Sequence, residues 1–596
     1  MGIVLFSGNA FAEMNILPSS QLVPGMHGYA KTVIEGDRID TFSIEIIGVV
    51  NDTKDTDGKI IAKASGDLID KTGGVLQGMS GSPVYIDGKL VGAVSGGWKD
   101  IDNRTCVITP IADMMKLWEM PDRKNKSHIK QVQLKNDLSH PKNESEKIQE
   151  KDKQKVEKIK DKENEKIQKY STPLMVSGFS EAGISLLKQK LEPYQLVPYL
   201  TGVNGTTQKE VVLEPGSSIG VQLVRGDINM AAIGTVTAVE DGKVLAFGHP
   251  FLRKGNVNYF MTDAQIIATA SGETSGFKIG VPGNVVGRIN QDRSAAVSGL
   301  IGQYPSVVPL RVIVDDVQLG TQKSYAMQIA YDEDLLPNLV PAIVYNAMDS
   351  SRDRLGYGTV KMSFEIMTNS AFDGKFKRDN MFYNVQDVGQ VAIAELMQTL
   401  NLLAMDNAEE SDIFSIKVNI KVDEERKTAS LIEVIPDKPT AKAGETINLK
   451  IKMKPYRQAE ETLIVPYKIP KNQPEGALNL EVRGGGLVPL MQVLLQQQGV
   501  DLTAQEDKMK PLNVKLDELA KSNKNNEIIV APAPVMLEEQ MVKQVKPKKK
   551  LKKSSKENEA IIKSKTVKQE DTMQGKYQTA YIIDNALSVV INIVEK

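Results

Sequence analysis

The chain has 596 residues, and its 74 Lys and Arg nearly balance its 75 Asp and Glu. This balance gives no reason to expect nucleic acid or an acidic membrane surface as the main partner. The single cysteine, Cys106, excludes an intrachain disulfide and a thiolate metal cluster. Its position in the apolar run RTCVITPI predicts a buried side chain. Imidazole chemistry must come from only four histidines: His27, His128, His140 and His249.

The first residues, MGIVLFSGNAFAEM, combine an apolar run with Ala10-Phe11-Ala12, which has the small-x-small form of a signal-peptidase site. A basic segment ahead of the run is missing, since the first cation is Lys31. We interpret residues 1–12 as the remnant of an export signal that starts further upstream, and the alternative is an apolar N-terminal strand. No later segment has the unbroken apolar length of a bilayer span. We therefore expect an extracytoplasmic protein (periplasm, cell surface or secreted) without an integral membrane span.

Residues 13–121 have the pattern of strands and turns. In DTFSIEIIGVV, Phe42, Ile44 and Ile46 alternate with polar residues, which is the period of a half-buried strand. In SPVYIDGKLVGAV, two apolar runs flank Asp87-Gly88, which predicts a β-hairpin.

Residues 122–171 differ sharply in composition, because Lys and Glu dominate and apolar residues are too few to form a buried face. This segment is predicted to be a solvated helix or a disordered tether. His128 and His140 lie in it, and we exclude both as catalytic residues.

Residues 172–330 return to β character, with a second hairpin predicted at Asp241-Gly242 in AAIGTVTAVEDGKVLAFGHP. Residues 331–410 are predicted to be a helical connecting region, with helices in DEDLLPNLVPAIVYNAMDSS and DVGQVAIAELMQTLNLLAMDN. Pro337 and Pro341 are expected to break or bend the first of these helices.

Residues 411–535 contain several short alternating strands, and this spacing predicts a β-sandwich of immunoglobulin-like type. The clearest strand is GETINLKIKMK, whose apolar positions are Ile447, Leu449, Ile451 and Met453. A helical stretch is predicted at 487–498. Residues 536–575 form a basic low-complexity loop, interpreted as a solvated linker, and residues 576–596 are predicted to be closing strands.

The stretch LQGMSGSPVYIDG carries the strongest chemical signal. A hydroxyl nucleophile needs a base, an exposed position on the backbone, and donors for the oxyanion. Glycines on both sides of Ser80 allow a sharp turn, so that the amides of Gly78 and Ser80 can converge on a carbonyl oxygen. An inert tight turn is the competing interpretation. This is not the elbow of α/β-hydrolases, because Ser82 stands where that motif has glycine.

Two histidines lie outside the charged segment, and either is a candidate base by composition. His27, in PGMHGYA, is interpreted as an exposed polar residue in a turn. His249, in LAFGHPF, follows an apolar strand and is held between Gly248 and Pro250. His249 is therefore the better candidate for a general base.

Three stretches together resemble the SpoIVB-type serine peptidases, the sporulation stage IV B family: TVIEGDRIDTFSIEIIGVV, DKTGGVLQGMSGSPVYIDGKLVGAVSGGW and IGTVTAVEDGKVLAFGHP. The resemblance covers roughly residues 20–120 and 210–330, and GMSGSP is its most specific part. It implies a mainly β, trypsin-like fold of two barrels with a Ser-His-Asp triad. By motif, Ser80 becomes the nucleophile and His249 the general base.

Two features depart from the family. The histidine segment precedes the serine segment in the sporulation enzyme, whereas Ser80 comes first here, so the two halves are permuted or meet as separate lobes. An ungapped match places Ser65 where the family has its aspartate. We select Asp67 as the acid, and Asp70 and Asp227 are the alternatives. A PDZ module, which regulates the sporulation enzyme, is not evident.

The resemblance implies a serine endopeptidase that cleaves an envelope or secreted protein, or the chain itself, and implies no cofactor and no metal. The alternative is a catalytically inactive peptidase-like scaffold that acts as a cell-envelope binding protein. The missing aspartate motivates this alternative. The sequence does not indicate an oligomeric state or a preferred cleavage site.

Overall fold

The structure is a computed structural model, and it describes residues 14–50, 58–97, 102–122, 173–202, 212–272, 276–354, 356–404, 411–487, 510–533 and 574–595. The chain divides into two compact units. Unit 1 comprises Met1–Arg311, Tyr325–Ser350 and Phe414–Ile416, and unit 2 comprises Val312–Ser324, Ser351–Ile413 and Lys417–Lys596.

The first part of unit 1 is a closed barrel of strands in the order β1-β2-β3-β6-β5-β4. These strands are β1 (His27–Val33), β2 (Ile39–Val50), β3 (Lys59–Ser65), β4 (Pro83–Ile86), β5 (Lys89–Gly96) and β6 (Thr105–Pro110). Phe42, Ile44 and Ile46 of β2 point into its core, which confirms the predicted alternation. The predicted hairpin is also confirmed, because Asp87 and Gly88 join β4 to β5 with φ of 49° and 75°.

The second part of unit 1 contains a second ring of strands. Its elements are β7 (Leu174–Ser177), β8 (Pro198–Leu200), β9 (Ser218–Gly226), β10 (Asn229–Glu240), β11 (Lys243–Ala246), β12 (Gly255–Ala270), β13 (Phe277–Arg293) and β14 (Ala296–Ile301). The strands pair in the order β9-β12-β13-β14-β11-β10, and β10 also pairs with β9, which closes the ring. The second hairpin prediction is confirmed at Asp241 and Gly242, with φ of 48° and 74°.

An apolar cluster joins the two barrels. Leu90 and Ala93 of β5 share it with Ala238 of β10 and Leu245 of β11. The fold is therefore mainly β, with two barrels as in trypsin-like proteins. The barrel that carries the serine motif precedes the barrel that carries the histidine, so the halves are permuted.

The helices of the described part of the chain are mostly short. They are α1 (Asp67–Thr72), α2 (Ile111–Met115), α3 (Glu181–Leu191), α4 (Leu336–Asp349), α5 (Val388–Ala392), α6 (Ala394–Ala404) and α7 (Leu512–Lys521), with 3-10 turns at Ser19–Gln21, Lys116–Glu119 and Glu192–Tyr194. Helix α4 runs through Pro341, so the expected break does not occur. Pro337 lies in the first turn, where an amide has no partner within the helix, and this position tolerates proline.

In the described ranges, five strands lie in sequence between the second barrel and the C-terminal sheets: β15 (Val307–Asp316), β16 (Thr321–Ala330), β17 (Gly358–Thr368), β18 (Lys375–Asn384) and β19 (Ile413–Asp423). The hairpin of β17 and β18 lies between the two predicted helices, so the region 331–410 is not purely helical. Residues of β15, β16 and β19 belong to both units.

The C-terminal part of unit 2 contains two sheets that share one apolar core. The strands are β20 (Thr428–Pro436), β21 (Thr440–Lys442), β22 (Thr446–Pro455), β23 (Glu461–Lys468), β24 (Gly476–Gly484), β25 (Glu527–Pro532), β26 (Gly575–Gln578), β27 (Ile582–Ile583) and β28 (Ala586–Val594). The sheets have the orders β23-β22-β20-β27 and β21-β28-β24-β25-β26. Core residues come from both sheets, for example Ile451 and Ile591. The immunoglobulin-like type of this arrangement stays a prediction.

Several predictions lie wholly or almost wholly outside the described residues: the export-signal remnant, the charged tether, the helix at 487–498 and the basic loop. Among the helices of the described ranges, none combines the length and the apolar character needed to cross a membrane.

Candidate active site

The loop that carries Ser80 connects α1 to β4. Gly78 and Gly81 both have positive φ, 92° and 95°, so the chain turns sharply on either side of the serine. The amide of Ser82 donates to Met79 O at 2.9 Å, and the amide of Gly81 donates to Val94 O at 2.7 Å. We call residues 76–82 the nucleophile loop. Its glycines give it the predicted turn geometry.

Strand β10 of the second barrel holds the nucleophile loop by donating hydrogen bonds to the carbonyl groups of the loop. Thr235 donates from its amide to Ser80 O and from Oγ1 to Gly78 O, both at 2.9 Å. Thr237 Oγ1 donates to Gly81 O at 2.7 Å. A Cβ atom on Gly81 would lie 1.9 Å from Thr235 O, so only glycine permits this approach.

The turn that carries His249 follows β11 and packs on the first barrel. Phe247 and Gly248 both have positive φ, 68° and 64°, which turns the chain away from the strand. Thr109 Oγ1 of β6 donates to Gly248 O at 2.7 Å. A Cβ on Gly248 would lie 3.0 Å from Val94 O of β5. Each barrel therefore holds the other's candidate residue.

The two segments meet at Gly81 and Phe247. A Cβ on Gly81 would lie 2.5 Å from the Phe247 amide nitrogen, and that amide in turn lies 3.3 Å from Thr235 O. Ser80 and His249 are both buried, with 1% and 4% of their surfaces exposed. The structure thus brings together two stretches that are distant in sequence.

Ser80 Oγ is buried and has no hydrogen-bond partner in the described residues. The amides of Gly78 and Ser80 donate to no acceptor within the same described ranges, although the neighbouring amides of Met79 and Gly81 do. A hydroxyl and two amides therefore lie in one loop without internal partners. This is the donor arrangement that an oxyanion requires.

The imidazole of His249 is oriented by the backbone carbonyl of the next residue. Its Nδ1 lies 2.7 Å from the carbonyl oxygen of Pro250. A carbonyl oxygen only accepts hydrogen bonds, so Nδ1 carries the proton and donates. In the neutral ring, Nε2 is then the basic nitrogen.

The family described as SpoIVB peptidase S55 matches residues 9–102. Residues 9–102 belong to the SpoIVB peptidase S55 family. The match covers Ser80 and the nucleophile loop, and it ends well before His249. No curated protein and no solved structure matches the chain.

The SpoIVB peptidase resemblance leaves the acid of the triad to be located, and the structure places all three candidates on the surface. Asp67 is the first residue of α1 and is exposed. Asp70 pairs with Arg104 at 2.8 Å, and Asp227 accepts from the Ala326 amide at 2.7 Å. Ser65, at the family's aspartate position, is exposed at the end of β3.

One carboxylate near the histidine turn was not anticipated from sequence. Asp292 of β13 is fully buried and accepts from the amides of Phe251 and Leu252, both at 2.7 Å. Burial raises the pKa of Asp292, and the backbone amides of the turn oppose this shift. Asp292 therefore fixes the backbone that follows His249-Pro250. The sequence NQDRSAA contains no signal for this contact.

A buried lysine beside the nucleophile loop was also not anticipated. Lys278 of β13 is 1% exposed, and its stem lies 3.2 Å from the position of a Cβ on Gly78. In FKIGVPG the residue follows an ordinary strand pattern, in which a lysine normally marks the solvent face.

Cys106 and His27 have the burial that was expected of them. Cys106 is buried in β6, and burial raises the pKa of its thiol to about 12, so the thiolate form is disfavoured. His27 is exposed as expected, but it is the first residue of β1 and does not lie in a turn. In the described ranges, no three His, Cys, Asp or Glu side chains lie close enough to hold a metal ion.

Proposed function

We propose that the chain is a serine endopeptidase in which Ser80 is the nucleophile and His249 is the general base. The observation that carries the proposal is the packing of the nucleophile loop against the His249 turn, at Gly81 and Phe247. The SpoIVB peptidase match over residues 9–102 supports a peptidase, and hence a protein substrate, independently of this packing.

The proposed reaction has two proton transfers at His249. Ser80 Oγ attacks the scissile carbonyl carbon while His249 Nε2 takes the hydroxyl proton, and the carbonyl oxygen becomes an oxyanion. The amides of Gly78 and Ser80 donate to that oxyanion. The C–N bond then breaks as Nε2 returns the proton to the leaving amine. Water hydrolyses the resulting acyl-enzyme by the same sequence of steps.

The Pro250 carbonyl takes the orienting role that an aspartate has in the usual triad. It accepts from Nδ1 and so selects the tautomer in which Nε2 is basic. A carbonyl has no net charge, so it stabilises the imidazolium less than a carboxylate does. Asp67, selected from sequence, stays a prediction for this role.

The nucleophile is tested by labelling the intact chain with a fluorophosphonate probe. Ser80→Ala is expected to abolish labelling because it removes the attacking oxygen. Ser82→Ala is the matched control, since Ser82 Oγ is also buried without a partner in the described part of the same loop. Labelling of the Ser80→Ala protein at the wild-type rate would refute the assignment.

The same assay examines the base and the acid. His249→Gln is expected to slow labelling by about 10²- to 10⁴-fold, the usual contribution of a general base. Asp67→Asn is expected to leave the rate unchanged if the Pro250 carbonyl orients the ring. A loss on the order of 10⁴-fold in Asp67→Asn would instead identify Asp67 as the acid of a full triad.

We place the substrate outside the cytoplasm, as an envelope or secreted protein or as the chain itself. The apolar run followed by Ala10-Phe11-Ala12 supports export. Cell fractionation of the native protein tests this location: recovery in the periplasmic, surface or culture-medium fraction supports it, and recovery with a cytosolic marker contradicts it.

The second candidate is an inactive peptidase-like scaffold that binds a partner in the cell envelope. It is favoured by the lack of a hydrogen bond from Ser80 Oγ in the described residues and by the surface positions of all three candidate acids. A folded wild-type protein that shows no probe labelling between pH 6 and 9 would support the scaffold over the enzyme.

A further inference from the structure

Lys278 joins the two barrels beside the nucleophile loop. Its Nζ donates to Thr32 Oγ1 of β1 at 2.8 Å and to Thr235 Oγ1 of β10 at 3.2 Å. Its aliphatic stem lies against Gly78, and the side chain is almost completely buried. A lysine in this position needs an explanation, because buried amines are costly unless they are paired.

The surroundings of Lys278 favour a neutral amine. The groups that face it are the Thr32 hydroxyl from β1, the Thr235 hydroxyl from β10 and the Gly78 backbone, and none of them is charged. Burial alone lowers the pKa of Lys278 to about 7. A neutral amine has two N–H groups, which match the two hydroxyl acceptors, whereas an ammonium would carry a third proton without an acceptor in the described residues.

Thr235 connects this amine to the nucleophile loop. Its hydroxyl has one proton, which goes to Gly78 O, so the Oγ1 lone pairs accept from Lys278. The amide of the same threonine donates to Ser80 O. Thr235 therefore holds the carbonyl groups of Gly78 and Ser80, which lie beside the predicted oxyanion donors. Lys278 in turn fixes the rotamer of Thr235.

We propose that Lys278 is a positioning residue that holds Thr235, and through it the Gly78 and Ser80 backbone, in the geometry required for catalysis. This inference rests on the proposed function of Ser80. Lys278 acts through Thr235 and not on the nucleophile itself, because its Nζ contacts the two threonines while Ser80 Oγ has no partner in the described ranges.

The test is the rate of fluorophosphonate labelling as a function of pH in the intact chain. Lys278→Met keeps the apolar stem and removes the amine. It is expected to slow labelling about tenfold to a hundredfold at pH 8, the size of effect that a small misplacement of a reacting group produces. Lys63→Met, at an exposed position of β3, is the matched control and is expected to react at the wild-type rate.

The pH profile separates positioning from a general structural role. The wild-type rate is expected to fall as the pH drops through about 7, because protonation of Lys278 disturbs its contacts with the two threonines. Lys278→Met is expected to lack this step. Lys278→Arg, whose side chain stays charged, is expected to react slowly throughout the range. A Lys278→Met profile that is lowered but unchanged in shape overturns the proposal.

A double-mutant cycle tests the relay through Thr235. Thr235→Val removes the hydroxyl, so Lys278→Met is expected to have little further effect in that background. Thr237→Val is the matched control. Thr237 also holds the loop, through Gly81 O, but the described hydrogen bonds of Lys278 go to Thr32 and Thr235, so the effects of Thr237→Val and Lys278→Met should add. If the effect of Lys278→Met adds fully to that of Thr235→Val as well as to that of Thr237→Val, Lys278 does not act through Thr235. If Lys278→Met does not fold, Thr235→Val alone must reproduce the loss of the pH step near 7, and an intact step then overturns the proposal.

The failure of the proposed function is distinguishable from the failure of this inference. Wild-type labelling that does not depend on Ser80 refutes the function. The inference is then decided by amide hydrogen exchange of residues 76–82, which is expected to be faster in Lys278→Met than in Lys63→Met. Ser80-dependent labelling with identical rates in these two variants refutes the inference alone.

Discussion

Lys278 and Asp292 are ionisable residues buried in unit 1. Burial shifts the pKa of each so that the neutral form is favoured. The pKa of Lys278 is lowered and that of Asp292 is raised. Each one also fixes a segment of the candidate site: Lys278 lies against Gly78, and Asp292 accepts two amides of the turn after His249. Such groups stabilise a specific geometry at a cost in folding free energy.

This cost makes stability depend on pH. In the unfolded chain Lys278 titrates near its ordinary value of 10.5, and in the folded chain near 7. Between these values the unfolded state binds one more proton, so stability rises with pH across this window. Wild-type stability relative to Lys278→Met is expected to increase by about 1.4 kcal/mol per pH unit above pH 7. Urea denaturation of both proteins at pH 7, 8 and 9 measures this difference.

Both proteins contain the same other lysines and tyrosines that titrate in alkali. Their contributions to the pH dependence of stability therefore cancel in the difference between wild type and Lys278→Met. Parallel stability curves for the two proteins would mean that Lys278 has an ordinary pKa in the folded state.

Among the elements, the contact of the nucleophile loop with β10 sets the tightest steric requirement. Gly81 packs against Thr235 O, a backbone atom in the middle of a strand that is paired on both sides. A side chain could move aside, but this carbonyl could not without distorting the second barrel.

Gly81→Ala is therefore expected to be strongly destabilising. The matched control is Gly25→Ala, since Gly25 has a similar φ of 86° and a Cβ added there would meet no atom within 4 Å. The control is expected to lose about 1–2 kcal/mol, from left-handed backbone strain alone. Gly81→Ala adds overpacking of about 1–3 kcal/mol or more. Chemical denaturation gives both values, and equal losses would show that β10 yields to the added methyl group.

Elements that follow simple patterns were predictable from sequence. The alternation in β2 and the Asp-Gly hairpins depend on local chemistry, and the structure has them where they were expected. The strands β17 and β18 were missed because they lie between two strongly apolar helices that dominated the pattern. Of the break or bend expected at Pro341, the break does not occur, because α4 is buried along most of its length and its packing maintains the helix.

At the scale of the whole molecule, two cores are built from different parts of the chain. Ile44 lies in the core of the first barrel, in unit 1, and Ile451 lies in the shared core of the C-terminal sheets, in unit 2. The two-barrel fold followed from the family resemblance, carried by GMSGSP. The positions of Lys278, Asp292 and the Pro250 carbonyl did not follow from the sequence. Lys278 depends on how strands of the two barrels pack, whereas Asp292 and the Pro250 carbonyl depend on the course of the turn after β11.

Separate cores are expected to respond separately to mutation. Ile44→Ala and Ile451→Ala each remove the same buried atoms and should each cost about 2–5 kcal/mol in their own core. Ser80 labelling after equilibration in increasing urea reports on unit 1. Ile44→Ala is expected to lower the urea concentration at which labelling is lost, and Ile451→Ala to leave it unchanged. Equal shifts in both variants would show that the two cores unfold together.

The bonds that hold the nucleophile loop and the histidine turn join residues 139 to 157 positions apart. During synthesis, Ser80 therefore leaves the ribosome long before β10, which binds the nucleophile loop, and long before His249. Closing so large a loop is slow compared with forming a hairpin. Under the proposed function, the Ser80–His249 pair therefore forms only after the second barrel has been synthesised, so the first barrel alone lacks its general base.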